Sequence, residues 1–563
     1  NDALSGYDYH TIPGHVRHDN AYSHFLCRVL ILGWFIQGRQ VMRRLLIILL
    51  SLSFTLVGCS TNPVTGEKNF ILPNLDENWE RQVGQQMYAP MRQSQGGDYI
   101  LDPDLTEYVE EVGERLAAQA SRDFSYEFHV LNDSTPNAWA LPGGKIVVNR
   151  GLLTELNSEA ELAAVLGHEI VHADAAHGAR QQSKGMLTQV GMVAAMIFGS
   201  SMADSEMGQQ VAMIVPQLGA QLITTKYGRD AERESDLYGM RYMSAAGYNP
   251  QGAVELQETF VRLSAQRRSD WLSGLFASHP PSAERVENNK TTAKTLPDSG
   301  EYGREVYLQK TAYVREMKPV YEDYADARKA LSEDKTSEAR TLVNQAIKRE
   351  PREALFHALS GDIYAANNKY RKAETAYSDA MRLDGSFFYY HLRRGQARYE
   401  QGKLNPARTD LEYSLELLPT AQAYFLLGNL DKRAGDMESA LKHYQAAAGS
   451  NSEASKQAQR ELVVIDLPRN PGKYIQTVAV LEQNGRVSAA VRNNSPVTVK
   501  NITLKLEYID ANGKYREYSR SIDQRLKPGE QSTTRTGIRD IQDNNDLGRR
   551  VRVTVASARV HGQ

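Results

Sequence analysis

Cysteine is almost missing from this chain: Cys27 and Cys59 are the only two in 563 residues. No disulfide framework can hold it together. A basic surplus is missing as well. The formal net charge is −2, so the surface that nucleic acid demands is not there, and no nucleic-acid partner is expected. A bilayer-long apolar run is not found at Leu45–Val57, which as a helix reaches roughly 20 Å against a hydrocarbon core of ~30 Å. That run follows Met42 and two arginines and ends on Gly58-Cys59. A charged head, a short apolar run and then small residues mark a secretory signal, not a membrane span.

What is present is ordinary soluble composition, 41% apolar and 24% charged, at a length that calls for several domains. Leu56-Val57-Gly58-Cys59 resembles the bacterial lipobox. That likeness implies lipidation of Cys59 and a membrane held through the lipid. With Ser60 instead of aspartate after the cysteine, it implies the outer membrane, facing the periplasm. A plain signal peptide with a chance cysteine reads the same letters. Residues 42–59 are thus a signal segment, and residues 1–41 an upstream extension set aside from fold reasoning.

Four regions follow. Residues 60–75, with Pro, Gly and Asn, read as a tether. Residues 76–296 read as mainly helical, with one short strand pair near Phe124–Val130 and Lys145–Asn149. Within them Gly185–Thr225 carries Met-rich apolar runs too short to span a bilayer, fit for core helices or for a lid. Residues 313–465 repeat: Gly361, Gly395 and Gly428 are followed at equal spacing by Ala373, Ala407 and Ala440, then by Tyr377, Leu411 and Tyr444. Ala327, Ala339, Val343 and Ala346 extend the register one unit back. This resembles the tetratricopeptide repeat, an α-solenoid whose concave face holds protein or peptide, or which props up its neighbour. Residues 473–563 alternate like strands, with Asn484-Gly485 and Asn512-Gly513 between runs, as in a small β-sandwich.

The chemistry centres on LGHEIVHAD, residues 166–174. Ser158 and Glu161 form a capping box, so a helix is expected to start there. His168 and His172 are four apart and share a face, from which two imidazoles can hold one Zn²⁺; Glu169 is placed as a general base. A plain helix with two satisfied histidines fits the same letters. Further on, Glu232 and Asp236 in RDAERESDLYGM also share a face. Glu232 can complete a His₂Glu set, and Asp236 can fix the tautomer of a ligand histidine. A solvated charged face is the alternative for this helix.

Four segments in order then resemble the gluzincin metallopeptidase family of the CAAX prenyl endopeptidase and the heat-shock membrane protease. They are Asn137–Val148, Glu161–Glu169, Glu232–Asp236 and the His-Pro turn Ser278–Ser282. The likeness is closest to periplasmic members with tetratricopeptide arrays. Val171 and Ala176 depart from the family pattern without removing a ligand. The resemblance implies a zinc metallopeptidase domain over 76–296 and a zinc endopeptidase with one Zn²⁺ per chain on His168, His172 and Glu232. Glu169 and Asp236 are its catalytic pair, and His279 offers a fourth ligand. It implies unfolded or misassembled envelope proteins as substrates, and outer-membrane assembly machinery as a partner of the array. Substrate is expected to add as a strand along Lys145–Asn149. A non-proteolytic chaperone or scaffold lipoprotein is the competing reading; an intact Glu169 speaks against it.

Overall fold

Turn chemistry and burial set the path of the chain, which the computed structural model describes over residues 59–186, 227–265 and 279–562. Residues 1–41, the signal-like run up to Gly58 and most of the Met-rich stretch lie outside the described residues; of Cys59 only the backbone falls within them. The chain divides into two compact units.

The smaller unit takes in 59–80 and 175–186 among the described residues. Here the stretch expected to be a tether is a hairpin instead. Strand β1 (Cys59–Thr61) pairs antiparallel with β2 (Lys68–Phe70). Asn62 Oδ1 accepts the N–H of Val64 at 2.9 Å and of Thr65 at 3.3 Å, and Gly66 supplies a φ of 75°. The residues that suggested a tether are the residues a tight turn needs. Leu75, Ala176 and Ala179 form the apolar centre of this unit.

In the larger unit, α1 (Glu77–Ser94), α2 (Pro103–Ala117) and a three-stranded sheet come first. The sheet has β3 (Glu127–Leu131), β4 (Ala138–Leu141) and β5 (Lys145–Asn149) in the order β3-β5-β4. Two of these strands are the expected pair. The third, β4, turns into β5 through Gly143 and Gly144, both at φ 79°. Its AWAL sequence has no β-branched residue and one strand-favouring residue, Trp139, so propensity marks it weakly. The consequence corrects one expectation: β5 is paired parallel to β3 and antiparallel to β4, with all five residues buried. It has no edge to offer a substrate. The edge beside it belongs to β4. Asn149 N–H donates to Asn137 O at 2.8 Å, so the bonded pairs fall on odd β4 positions. The backbone groups of Ala138 and Ala140 therefore point away from β5.

Helix α3 (Glu159–Asp174) is buried along its whole length. Ser158 Oγ accepts from Glu161 N at 3.1 Å, but the Glu161 carboxylate returns to Asn157 N at 3.1 Å, one residue upstream of the usual capping-box partner. Helix α4 (Arg229–Ala245) crosses α3 where Gly167 meets Gly239; a Cβ on Gly239 would stand 2.9 Å from His168 N. The two glycines allow the close crossing on which the site depends. Helices α5 (Gln251–Ala265) and α6 (Ala283–Ala293) pack against this pair.

After α7 (Arg304–Lys310) the repeats stack as helix pairs. They are α8 and α9 (Ala312–Ser332, Thr336–Arg349), α10 and α11 (Ala354–Ala366, Tyr370–Leu383), α12 and α13 (Phe388–Glu400, Leu404–Leu417), and α14 and α15 (Ala421–Ala434, Met437–Ala447), closed by α16 (Glu453–Asp466). The repeat glycines have one physical reason: a Cβ would fall 2.5 Å from the Tyr377 ring at Gly361 and 2.7 Å from the Tyr444 ring at Gly428. The array is bonded to the domain before it. Tyr307 OH donates to Leu153 O at 2.7 Å, Phe388 N–H to Gln93 Oε1 at 2.8 Å, and Asn132 Nδ2 to Glu353 at 3.2 Å.

The C-terminal strands are β6 (Ile475–Leu481), β7 (Val487–Asn493), β8 (Val499–Ile509), β9 (Tyr515–Ile522), β10 (Gln531–Arg535) and β11 (Val551–Val560). They make two antiparallel sheets, β10-β7-β6 and β11-β8-β9. Ile475 and Val491 from one sheet share a core with Ile502 and Leu504 from the other and with Val463 of α16. Glycines at φ 71° (Gly485) and 77° (Gly513) close the two expected hairpins. No helix of the described residues is long and apolar enough to cross a membrane.

Candidate metal centre

Four-residue spacing on two crossing helices puts four side chains around one point. His168 and His172 come from α3 and Glu232 from α4; His279 arrives from the turn before α6. One donor atom from each lies within 4.8 Å of all the others, and all four residues are buried. His168 Nε2 stands 3.0 Å from His172 Nε2 and 3.3 Å from His279 Nδ1. Glu232 oxygens lie 3.0 Å from His279 Nδ1, 3.5 Å from His172 Nε2 and 3.6 Å from His168 Nε2. A tetrahedral ion with bonds of about 2.0–2.1 Å needs donor separations of roughly 3.3 Å. Imidazole nitrogens this close need a proton or a metal ion between them, and the donor set fits a divalent metal.

Glu169 points to the same place. Its Oε1 lies 3.5 Å from His279 Nε2, while its Oε2 is buried with no partner among the described residues. A buried carboxylate oxygen without a bond is costly and marks a position meant for a further group.

Electrostatics support the set. Burial alone would depress the His168 imidazolium, but the hydrogen bonds it donates to Asp236 and Glu232 push its pKa up to about 10. Burial would raise the Glu232 carboxyl; the His279 charge and the bonds from three imidazoles instead hold it far below the usual carboxylate range. Asp236 is likewise held low against its burial by Arg285 and His168.

Asp236 is not among the four clustered donors. His168 Nδ1 bonds its Oδ1 at 3.0 Å, and Arg285 takes both oxygens, Nε to Oδ2 at 2.7 Å and Nη2 to Oδ1 at 2.6 Å. Its geometry is that of a residue orienting His168, not of one touching the reacting atoms.

Sequence reasoning passed over Arg285. It is buried, and its Nη1 lies 3.2 Å from Glu232 Oε2. The signal was local: Ser282 caps α6 by accepting from Arg285 N at 3.1 Å, so the cap that ends the His-Pro turn also aims the arginine. Two further residues hold the frame. Tyr227 stacks on the His172 ring, centroids 4.0 Å apart. Asp174, at the end of α3, accepts from Ser121 N and Arg122 N at 2.8 Å each and from Tyr242 OH of α4 at 2.6 Å. His177 belongs to the smaller unit.

Residues 103–293 match the sequence model of Peptidase family M48. The chain carries an M48 peptidase domain. Residues 324–386 and 392–457 match the tetratricopeptide repeat. Over 228 residues the chain is 32% identical to the mitochondrial metalloendopeptidase OMA1 of Schizosaccharomyces pombe, covering 40% of this chain and 63% of that protein. Over 334 residues it is 26% identical to the β-barrel assembly-enhancing protease of Escherichia coli, covering 54% of this chain and 67% of that protein. The chain thus spans about two thirds of the length of these relatives. Among solved structures, the first tetratricopeptide domain of Spaghetti (RPAP3) bound to an HSP90 peptide is similar at 24% identity and a TM-score of 0.20, over 21% of this chain and 93% of that one. The cluster of His168, His172, Glu232 and His279 lies inside the M48 match, and the M48 family is metal-dependent.

Proposed function

We propose that this chain is a zinc-dependent endopeptidase of the bacterial periplasm, anchored through lipidated Cys59 at the outer membrane. It holds one Zn²⁺ on His168, His172 and Glu232 and clears misfolded or misassembled envelope proteins. The observation that carries the reading is the unpartnered, buried Glu169 Oε2 beside a four-donor cluster. A structural metal site needs ligands but no idle carboxylate oxygen.

Bound zinc supplies Lewis acidity at the scissile carbonyl and lowers the pKa of water toward ~7. The rest is the work of the chain. Glu169 Oε2 takes the proton of the attacking water and returns it to the leaving amine. Asp236, itself held by Arg285, fixes His168 with Nε2 toward the centre. The substrate backbone adds as a strand to the edge of β4 at the outward groups of Ala140, Ala138 being fully buried. Main-chain pairing of this kind accepts many sequences and suits unfolded chains. The tetratricopeptide array presents such substrates or docks on the outer-membrane assembly machinery.

One observation favours a second reading. His279 supplies a fourth donor to the cluster, and with all four in place the centre is closed, as in a chaperone or scaffold that does not cut. Chelation separates the two. An endopeptidase loses cleavage of an unfolded protein on zinc removal and regains it on zinc addition; cleavage indifferent to chelation, or absent from both the wild type and His279→Ala, sinks the proposal.

A further inference from the structure

Next to the cluster lies a small cavity, partly open to solvent, that the reaction as described does not use. It begins at His168, Glu169 and His279 and runs between α3, α4 and α5. Its walls are apolar: Val165, Met240, Leu256 and Phe260. Of the polar residues that line it, Asp236, Arg285 and Asn289 are hydrogen-bonded within the protein, while Ser235 and Gln257 stand apart. Both are buried, and neither Ser235 Oγ nor Gln257 Oε1 has a hydrogen-bond partner among the described residues. Apolar packing alone would be better served by alanine and leucine there, since an unpaired buried hydroxyl or amide oxygen gives up its water for nothing. Two such atoms in one cavity wall, beside a candidate general base, point to a ligand that pairs with them.

We infer that this cavity is the side-chain subsite of the peptidase, that it takes the substrate residue flanking the scissile bond, and that Ser235 and Gln257 select an uncharged side chain with an apolar stem and a hydrogen-bonding tip. Threonine, asparagine and glutamine satisfy both the walls and the two orphan atoms. Leucine and valine fill the walls but leave Gln257 Oε1 unpaired. A charged side chain would give up its water among the apolar walls, and an acidic one would also face Glu169 and Asp236. The inference rests on the endopeptidase reading above.

The test maps every cleavage made by the purified full chain in a mixture of denatured proteins, for the wild type, Gln257→Leu and Ser235→Ala. The wild type is expected to favour threonine, asparagine and glutamine at one fixed position beside the cut. Gln257→Leu is expected to shift that position toward leucine and valine by roughly 5–10-fold, the scale of one lost neutral hydrogen bond, and to leave the other positions alone. Ser235→Ala, the smaller change, is expected to shift it in the same direction. In parallel, two peptide hydroxamates differing only in threonine or leucine at that position are titrated against wild type and Gln257→Leu, with folding checked by thermal melting. A preference that the variants do not move, or a hydroxamate pair bound alike by both proteins, overturns the subsite. Discrimination between the hydroxamates with no cleavage of any protein supports the subsite and counts against the endopeptidase reading instead.

Discussion

Arg285 grips both oxygens of Asp236, at 2.7 and 2.6 Å, while its remaining nitrogen lies 3.2 Å from the Glu232 carboxylate. One cation thus holds the residue that orients His168 and also touches a candidate metal ligand. Removing it leaves the buried Asp236 carboxylate to His168 alone among the described residues and takes a cation from Glu232, a loss of about 3–5 kcal/mol in stability by analogy with broken buried ion pairs. Arg285→Leu is expected to unfold at lower denaturant and to bind zinc about 10–100-fold more weakly, read by chelator competition. Arg285→Lys keeps the charge but not the two-toothed grip, and falls between. Wild-type zinc affinity in Arg285→Leu would remove Arg285 from the support of the site.

His279 stands 3.3 Å from His168 Nε2 and 3.0 Å from Glu232, in the position of a fourth ligand. If it closes the centre at rest, His279→Ala opens it. Cleavage of an unfolded protein should then rise severalfold with zinc content unchanged. Unchanged or lower cleavage would reject a latch and leave His279 a supporting residue.

Without metal, His168 carries a proton that Asp236 and Glu232 hold up to a pKa of about 10. Since the folded value lies above the ordinary value of about 6.5, this proton stabilises the metal-free fold fully below that value. The stabilisation is lost as pH rises through about 10. Zinc must displace the proton, so uptake near neutral pH is expected to release about one proton per ion, with affinity increasing with pH. Calorimetry in two buffers of different ionisation enthalpy reads this directly. Identical heats in both buffers would contradict it.

How much of this was legible in the sequence follows from what each feature depends on. His168, His172, Glu232 and Asp236 were readable because helical spacing alone puts each pair on one face. The repeat was readable because Gly361 and Gly428 each answer to a ring sixteen residues on, a constraint renewed in every unit. Periodicity does not mark strand β4, because Trp139 is the only strand-favouring residue in Ala-Trp-Ala-Leu and the segment owes its state to β5. Arg285 escaped because its partners lie on another helix, 49 positions away in sequence. The hairpin at Asn62 reads as a tether in sequence because turn and linker share the same letters.

Strand β4 gives its own prediction. Ala140 is inferred to point its N–H away from β5, so Ala140→Pro should cost the sheet little while blocking a substrate strand on that edge. Cleavage is expected to fall by at least about tenfold, with melting nearly unchanged, one blocked backbone bond being a sizeable part of strand addition. Unimpaired cleavage by a folded Ala140→Pro protein would place the substrate elsewhere.

The most direct test of the central claim is cleavage of an unfolded protein by wild type and Glu169→Gln, with zinc quantified in both. The account predicts equal zinc, cleavage by the wild type and none detectable with Glu169→Gln, because the amide keeps the shape of the side chain but cannot take a proton. Full cleavage by Glu169→Gln, or full zinc with no cleavage by either protein or by His279→Ala, would contradict it.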